Sequence, residues 1–366
     1  EGLEARLVDG GAGTQPLPAS ARGAIVLIAT PEMHNLDDLF AEYLRQSALN
    51  AAVLKAGGVG MLLESSHPRG LVYRHPVSFN GPLSIPVAVL GREHAARLRR
   101  LAAAGEVKVR LTLRSQSSAR TVAANVVADL RGRELPDEVV LIGAHLDSWE
   151  LGTGANDDGV NAALVIDVAR AMKALGVAPR RTVRFVLWNG EEQGMFGSAA
   201  YTQAHARDLD RIVATLTYDI GSGRTTGFFL NGHDELRPAV EQALAPVAGL
   251  GPFTQLADPV EGVDGFDFFL SGVPSLVANQ DASSYVLDYH ASSDTFDKVD
   301  GREAQLNAAI AGALVWGLAD AAARPGRRAG RAEVEKVLHD SKVDDQMKAF
   351  SQWDDWVAHR RGVSAP

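Results

Sequence analysis

Six short, almost continuously apolar runs lie at residues 124–130, 138–144, 182–188, 212–218, 226–230 and 274–278. Helical patterns at 160–175, 236–245 and 303–323 separate or follow them. A strand that is apolar along its whole length needs both faces buried, and such strands alternating with helices specify a mostly parallel sheet covered on both sides. The chain is therefore expected to be an α/β protein. Leu306, Ile310, Leu314 and Leu318 recur at helical spacing and mark the core-facing stripe of the last of these helices. No apolar run approaches the ~18–20 residues of a membrane span.

The first ~115 residues repeat the theme on a smaller scale. Strands are expected at 24–29, 59–63, 85–90 and 107–113, with helices at 39–56 and 91–104. Leu44, Ala48 and Ala52 are read as the inner face of the first helix, which Gly57-Gly58 ends. Ser115-Gln116-Ser117-Ser118 reads as a linker. Arg324-Pro325-Gly326-Arg327-Arg328 breaks the chain again. Beyond it Val334, Val337, Leu338, Met347, Phe350, Trp353 and Trp356 indicate one or two amphipathic helices. These are expected to pack on the preceding domain, with a homodimer contact as the alternative use of their apolar faces. The expected division is 1–117, 118–325 and 326–366.

Composition narrows the chemistry. With 36 basic and 45 acidic residues the net charge is −9, which argues against a nucleic-acid partner. The absence of cysteine excludes thiolate catalysis, disulfides and cysteine-bound zinc. The chain begins at Glu1 and not at Met, which reads as a processed or cut product, and a secreted or periplasmic location is expected.

In parallel α/β sheets ligands bind beyond the carboxyl ends of the strands, and the polar clusters fall there. His145 and Asp147 follow the run 138–144, and residues two apart in extended chain share a face. Gly154-Ala155-Asn156-Asp157-Asp158-Gly159 is a turn whose adjacent carboxylates are costly in a dry site without a cation. Glu191-Glu192 follows the run 182–188, Asp219 follows 212–218, and Tyr289-His290 lies further on. Two histidines and three carboxylates suit a two-metal hydrolase. With Asp157 bridging, one zinc would take His145 and Asp219, the other Glu192 and His290, leaving Glu191 free to move a proton. Cobalt or manganese could replace zinc on the same donors. Taken singly, each cluster has an ordinary reading as a surface pair, a turn, a solvated helix face or a helix cap. Asp264 is read as an N-cap in preference to a substrate-side group. His34, His67, His75, His94, His205, His233, His339 and His359 are read as surface or packing residues.

Several motifs resemble the zinc aminopeptidase and glutamate carboxypeptidase family, above all its carboxypeptidase Q branch. They are His145-Leu146-Asp147-Ser148-Trp149, Gly154 to Gly159, Glu191-Glu192-Gln193-Gly194, Gly262-Val263-Asp264, Ser271-Gly272-Val273-Pro274, and His290 through Asp294-Thr295. The resemblance implies the zinc exopeptidase fold, a mixed and mostly parallel sheet flanked by helices. It implies the same five metal ligands, with Glu191 as general base and then acid and Asp147 orienting His145. It also implies a cis peptide between Asp157 and Asp158, and a Tyr289 that stabilises the tetrahedral intermediate. Residues 1–117 resemble a protease-associated domain, expected to be β-rich, with Ala51 to Gly60 as its helix–Gly–strand signature; a C-terminal helical extension is expected after the catalytic domain. In the family a catalytic segment precedes that domain, and the C-terminal helices are candidates to cover the flank it would occupy.

The substrate implied is a short peptide or dipeptide, cleaved with two zinc ions per chain. Glutamate-carboxypeptidase activity needs basic anchors for two carboxylates, and Arg180, Arg181 and Arg224 form no convincing cluster. An aminopeptidase or dipeptidase is therefore favoured. A single-zinc glutaminyl cyclase and a non-catalytic, receptor-like binding protein rank behind both peptidase readings.

Overall fold

The computed structural model describes residues 2–14, 16–75, 78, 81–115 and 121–363. The chain separates into two compact units, Glu1–Thr121 with Val286–Ser293, and Val122–Tyr285 with Asp294–Pro366. Of the expected linker at 115–118, residues 116–118 lie outside the described residues.

The first unit runs β1 (Leu3–Asp9), β2 (Ile25–Ile28), α1 (Leu36–Lys55), β3 (Gly60–Glu64), β4 (Val87–Leu90), α2 (Arg92–Ala104) and β5 (Lys108–Leu111). Its sheet has the order β4-β3-β2-β1-β5, parallel except where β1 meets β5. Alternate side chains of β2 go to opposite faces. Val26 and Ile28 pack with Leu49 and Val53 of α1, while Ile25 and Leu27 pack with Ala95 of α2. Helices of 20 and 13 residues beside strands of 4 to 7 make this unit α/β rather than β-rich.

Helix α1 begins at Asn35, whose side chain accepts the Asp38 N–H, and ends before Gly57 at φ +78°. Its inner face is not the expected one. Leu39, Glu42, Tyr43, Gln46, Leu49, Asn50 and Val53 are buried, whereas Leu44 is 40% exposed. Polar side chains occupy core positions because they bond one another, which an apolar-stripe reading misses.

The second unit contains β6 (Val126–Leu130), β7 (Leu135–His145), α3 (Val160–Ala174), β8 (Arg181–Trp188), α4 (Phe196–Ala204), β9 (Ile212–Thr217), β10 (Thr225–Phe229), α5 (Arg237–Leu244), β11 (Thr254–Leu256), α6 (Gly265–Leu270) and β12 (Ser275–Gln280). The short α7 (Tyr285–Asp288) leads into the segment that groups with the first unit, and α8 (Gly301–Asp320) returns. The sheet order is β11-β10-β12-β9-β7-β8-β6, antiparallel only at β6–β8 and β10–β12. On one face Val140, Ile142 and Ala144 of β7 pack with Leu164, Val165 and Val168 of α3 and with Ile310, Leu314 and Leu318 of α8. On the other, Val139 and Leu141 pack with Val186, Trp188, Tyr201 and Phe268.

Among the described residues three further helices follow, α9 (Arg331–Asp340), α10 (Val343–Ala349) and α11 (Trp353–Val357). Val334, Leu338, Val343, Met347 and Trp356 bury their side chains with Phe266, Phe269 and Leu270 of α6. The extension thus packs on α6 of the preceding domain, as the apolar faces of its helices led one to expect. Asp264 precedes α6 without capping it, since its side chain accepts no cap hydrogen bond. Among the described residues no helix is long and apolar enough to cross a membrane.

Candidate metal centre

The parallel registers His145↔Trp188 and Gly143↔Thr217 bring the carboxyl ends of β7, β8 and β9 to one edge of the sheet. His145 is the last residue of β7 and is 1% exposed. Its Nδ1 lies 2.8 Å from the Asp147 main-chain carbonyl, and because a carbonyl only accepts, Nδ1 carries the hydrogen. Nε2 then presents a lone pair. Facing it are Asp157 Oδ1 at 3.2 Å and Asp219 Oδ1 at 3.3 Å.

Three buried acceptors converging in this way repel one another unless a metal ion, or in its absence a proton on Nε2, lies among them. Donors about 2.1 Å from one zinc in tetrahedral directions stand about 3.4 Å apart, so the observed separations fit a shared ion. His145, Asp157 and Asp219 each offer one ligand atom, all within 4.8 Å of one another. Without a metal, burial works to lower the His145 pKa, but Asp219, Asp157 and Asp158 carry it well above its ordinary value.

The turn Ala155–Gly159 is held from several sides. The Asp157–Asp158 peptide is cis, as the resemblance implied. Asp158 binds through neither oxygen to the cluster; Oδ2 accepts the His145 N–H at 3.1 Å and Oδ1 accepts from Asn161 at 2.6 Å. Asp294 accepts the Asn156 N–H at 2.7 Å on Oδ1 and the Asp157 N–H at 3.1 Å on Oδ2.

Asp147 works differently from expectation. It orients His145 through its main chain, while its carboxylate Oδ1 stands 3.9 Å from Nδ1. That carboxylate instead accepts the N–H groups of Gly190 at 2.8 Å, Glu191 at 3.2 Å and Glu192 at 3.3 Å. It therefore fixes the loop that presents both glutamates. Glu191 keeps some exposed surface, but burial of its carboxyl end, with Asp219, Asp264 and Glu192 nearby, pushes its pKa well up against the pull of His145.

Tyr289 and His290 lie on the segment Val286–Ser293 of the first unit. There His290 Nδ1 donates to the Arg74 carbonyl at 3.2 Å, and the Tyr289 and Tyr43 hydroxyls are 2.9 Å apart. Of the ligand set expected for a second ion, Asp157 and Glu192 belong to the second unit and His290 to the first.

A family model described as Peptidase family M28 matches residues 125–315, more than half of the chain. The chain belongs to peptidase family M28. Carboxypeptidase Q of Rattus norvegicus is 29% identical over 306 residues, 82% of this chain and 64% of that protein. The M28 chain therefore spans a little under two thirds of the length of the curated relatives it matches. A peptidase M28 precursor from Shewanella amazonensis SB2B has a similar structure, with a TM-score of 0.78 and 26% identity, over 90% of this chain and 76% of that one. BSAP, a zinc aminopeptidase from Bacillus subtilis, shares the fold at a TM-score of 0.65 and 19% identity, over 89% of this chain and 78% of that one.

Two residues of this M28 chain escape sequence reasoning. Asp294 stands out in the sequence only as part of a motif, and its position four residues after His290 is the available signal. Tyr285 is 6% exposed, and burial together with Asp157, Asp219, Glu192 and Asp158 pushes its phenol well up, so it is a neutral hydroxyl among the acids of the site. An isolated tyrosine carries no such mark in sequence.

Proposed function

We propose that this chain is a dinuclear zinc exopeptidase acting on short peptides, as an aminopeptidase or dipeptidase. The observation that carries the reading is the His145 lone pair facing two carboxylate oxygens at 3.2 and 3.3 Å. His145 and Asp219 would hold one ion, Glu192 and His290 the other, and Asp157 both. Zinc supplies in such a site a Lewis acid for the scissile carbonyl and brings the pKa of bound water toward about 7. Glu191, in a loop fixed by the Asp147 carboxylate, accepts the proton of the attacking water and returns it to the leaving amine. The Tyr289 hydroxyl donates to the oxygen on which negative charge develops. The first unit is read as the protease-associated domain.

Relatives carry both names, carboxypeptidase Q and zinc aminopeptidase, so the preference for one peptide terminus rests on what this chain offers. Arg180 pairs with Glu134, Arg181 with Glu138 at 2.6 Å, and Arg224 with Glu303 at 2.8 Å. These pairings leave none of the three as a ready anchor for a substrate carboxylate, which favours recognition of a free amino end.

Metal analysis of zinc-replete protein, with dipeptides blocked at either end as substrates, tests the reading. About two zinc per chain, cleavage that needs a free amino end, and chelator inactivation reversed by zinc are expected. One zinc with cyclisation of amino-terminal glutamine, no metal at all, or cleavage that demands a free acidic carboxyl end would each overturn it.

A further inference from the structure

The first unit buries more polar chemistry than its own fold requires. Glu42, Gln46, Asn50, Ser65, Ser66, His67 and His75 are all at most 8% exposed, and buried polar groups cost stability unless they are bonded. Among and around them, His67, Tyr43 and Tyr73 lead toward one place. Tyr73 donates to Glu42, and its ring stacks on His67 at 4.7 Å. His75 stacks on Tyr43 at 5.4 Å and bonds Gln46 at 3.1 Å, and Gln46 donates to Asn50 at 2.8 Å.

The place is the segment Val286–Ser293. Tyr73 forms an antiparallel bridge with Ala291, and the Arg74 N–H donates to the His290 carbonyl at 2.8 Å. The Arg74 carbonyl accepts from His290 Nδ1 at 3.2 Å, which puts the hydrogen on Nδ1 and leaves Nε2 as the nitrogen able to bind a metal. His67 Nε2 donates to the Tyr289 carbonyl at 2.9 Å, and the Tyr43 hydroxyl shares a 2.9 Å hydrogen bond with that of Tyr289. His290 itself has φ +54°, a left-handed conformation that a non-glycine residue keeps only where its surroundings hold it.

We propose that Tyr43 and His67 are positioning residues for the Tyr289–His290 pair. The inference rests on the proposed peptidase function, which gives His290 a metal and Tyr289 a reacting oxygen. Tyr43 sets the direction in which the Tyr289 hydroxyl points. His67 fixes the main chain from which the His290 imidazole projects. Partners of this kind, one step removed from a metal, are worth 10–100-fold in affinity or activity.

Three variants test it: Tyr43→Phe, His67→Ala and His67→Gln, whose amide can still donate to the Tyr289 carbonyl. Tyr43→Phe is expected to lower kcat about 10-fold or more with KM and zinc content unchanged. His67→Ala is expected to weaken one of two zinc sites about 10–100-fold in a competition titration, and His67→Gln to restore most of that affinity. Unchanged kcat in Tyr43→Phe together with unchanged zinc affinity in His67→Ala would overturn the positioning role. If His67→Ala fails to fold, Tyr43→Phe decides: a fall in kcat at unchanged KM supports the role, and wild-type kcat overturns it. A wild-type chain that binds no zinc and cleaves no peptide would overturn the peptidase function instead, which separates the two failures.

Discussion

At the scale of single residues, two side chains next to each other in function are separable by experiment. Glu191→Gln removes a proton carrier but keeps the shape of the loop. It is expected to bind zinc as the native chain does and to lose about 10²–10⁴-fold in kcat; near-native turnover would reassign the base. Asp147→Ala removes the acceptor for three loop N–H groups, while the main-chain carbonyl that holds His145 survives. Expected is a roughly 10–100-fold loss of activity with the ion at His145, Asp157 and Asp219 still bound. Loss of that ion with activity would mean that the carboxylate orients the imidazole after all. That His145 and Asp147 share a face is legible in the sequence, because extended chain has period two. Which atom of Asp147 reaches the ring is not, since the bend after β7 decides that. Asp294 and Tyr285 are hidden for a related reason, as their roles exist only once distant loops meet.

At the scale of elements, apolar continuity makes the fold legible where strands are buried on both faces. Strands β2, β3, β7, β8, β9 and β12 all fall within one to three residues of the runs that announce them. Strand β1 goes unannounced because Glu4 and Arg6 alternate with Leu3, Ala5 and Leu7, a half-buried pattern unlike its neighbours. Helix α6 is hidden because six consecutive buried residues in so short a helix show no period. Its link to the C-terminal extension depends on Gly272, at φ +73°, whose carbonyl accepts the Ala329 N–H at 2.7 Å. A methyl group there would come 2.1 Å from the Ala329 carbonyl oxygen. Gly272→Ala is thus expected to cost on the order of 2–4 kcal/mol, from left-handed strain and overpacking together. Urea unfolding monitored by tryptophan fluorescence reads this out; a loss below about half a kcal/mol would show that the 272–329 junction yields without resistance.

At the scale of the whole molecule, stability is expected to fall as pH rises, through a carboxyl group far from any chemistry. Glu261 is 2% exposed, and its Oε1 accepts from Gln352 at 2.7 Å. Arg361 is the nearby cation, but it makes paired bonds of 2.8 and 2.9 Å to Asp267, whose charge opposes that of Glu261. Burial wins and pushes the Glu261 pKa from 4.5 up to about 7. The folded chain therefore retains a proton that the unfolded chain has released between those two values, so this group's contribution is full below about pH 4.5 and is lost as pH climbs through 7. A shift of that size is worth about 3 kcal/mol. Glu261→Gln keeps an acceptor for Gln352 and cannot ionise. Relative to the native chain it should gain little at about pH 4.5 and about 3 kcal/mol at about pH 8, with the difference level above that. Parallel denaturant titrations of both proteins from about pH 4.5 to about 8.5 measure it directly. A constant difference across that range would mean that Glu261 is already charged in the folded chain, and that Arg361 is shared between the two acids instead of committed to Asp267.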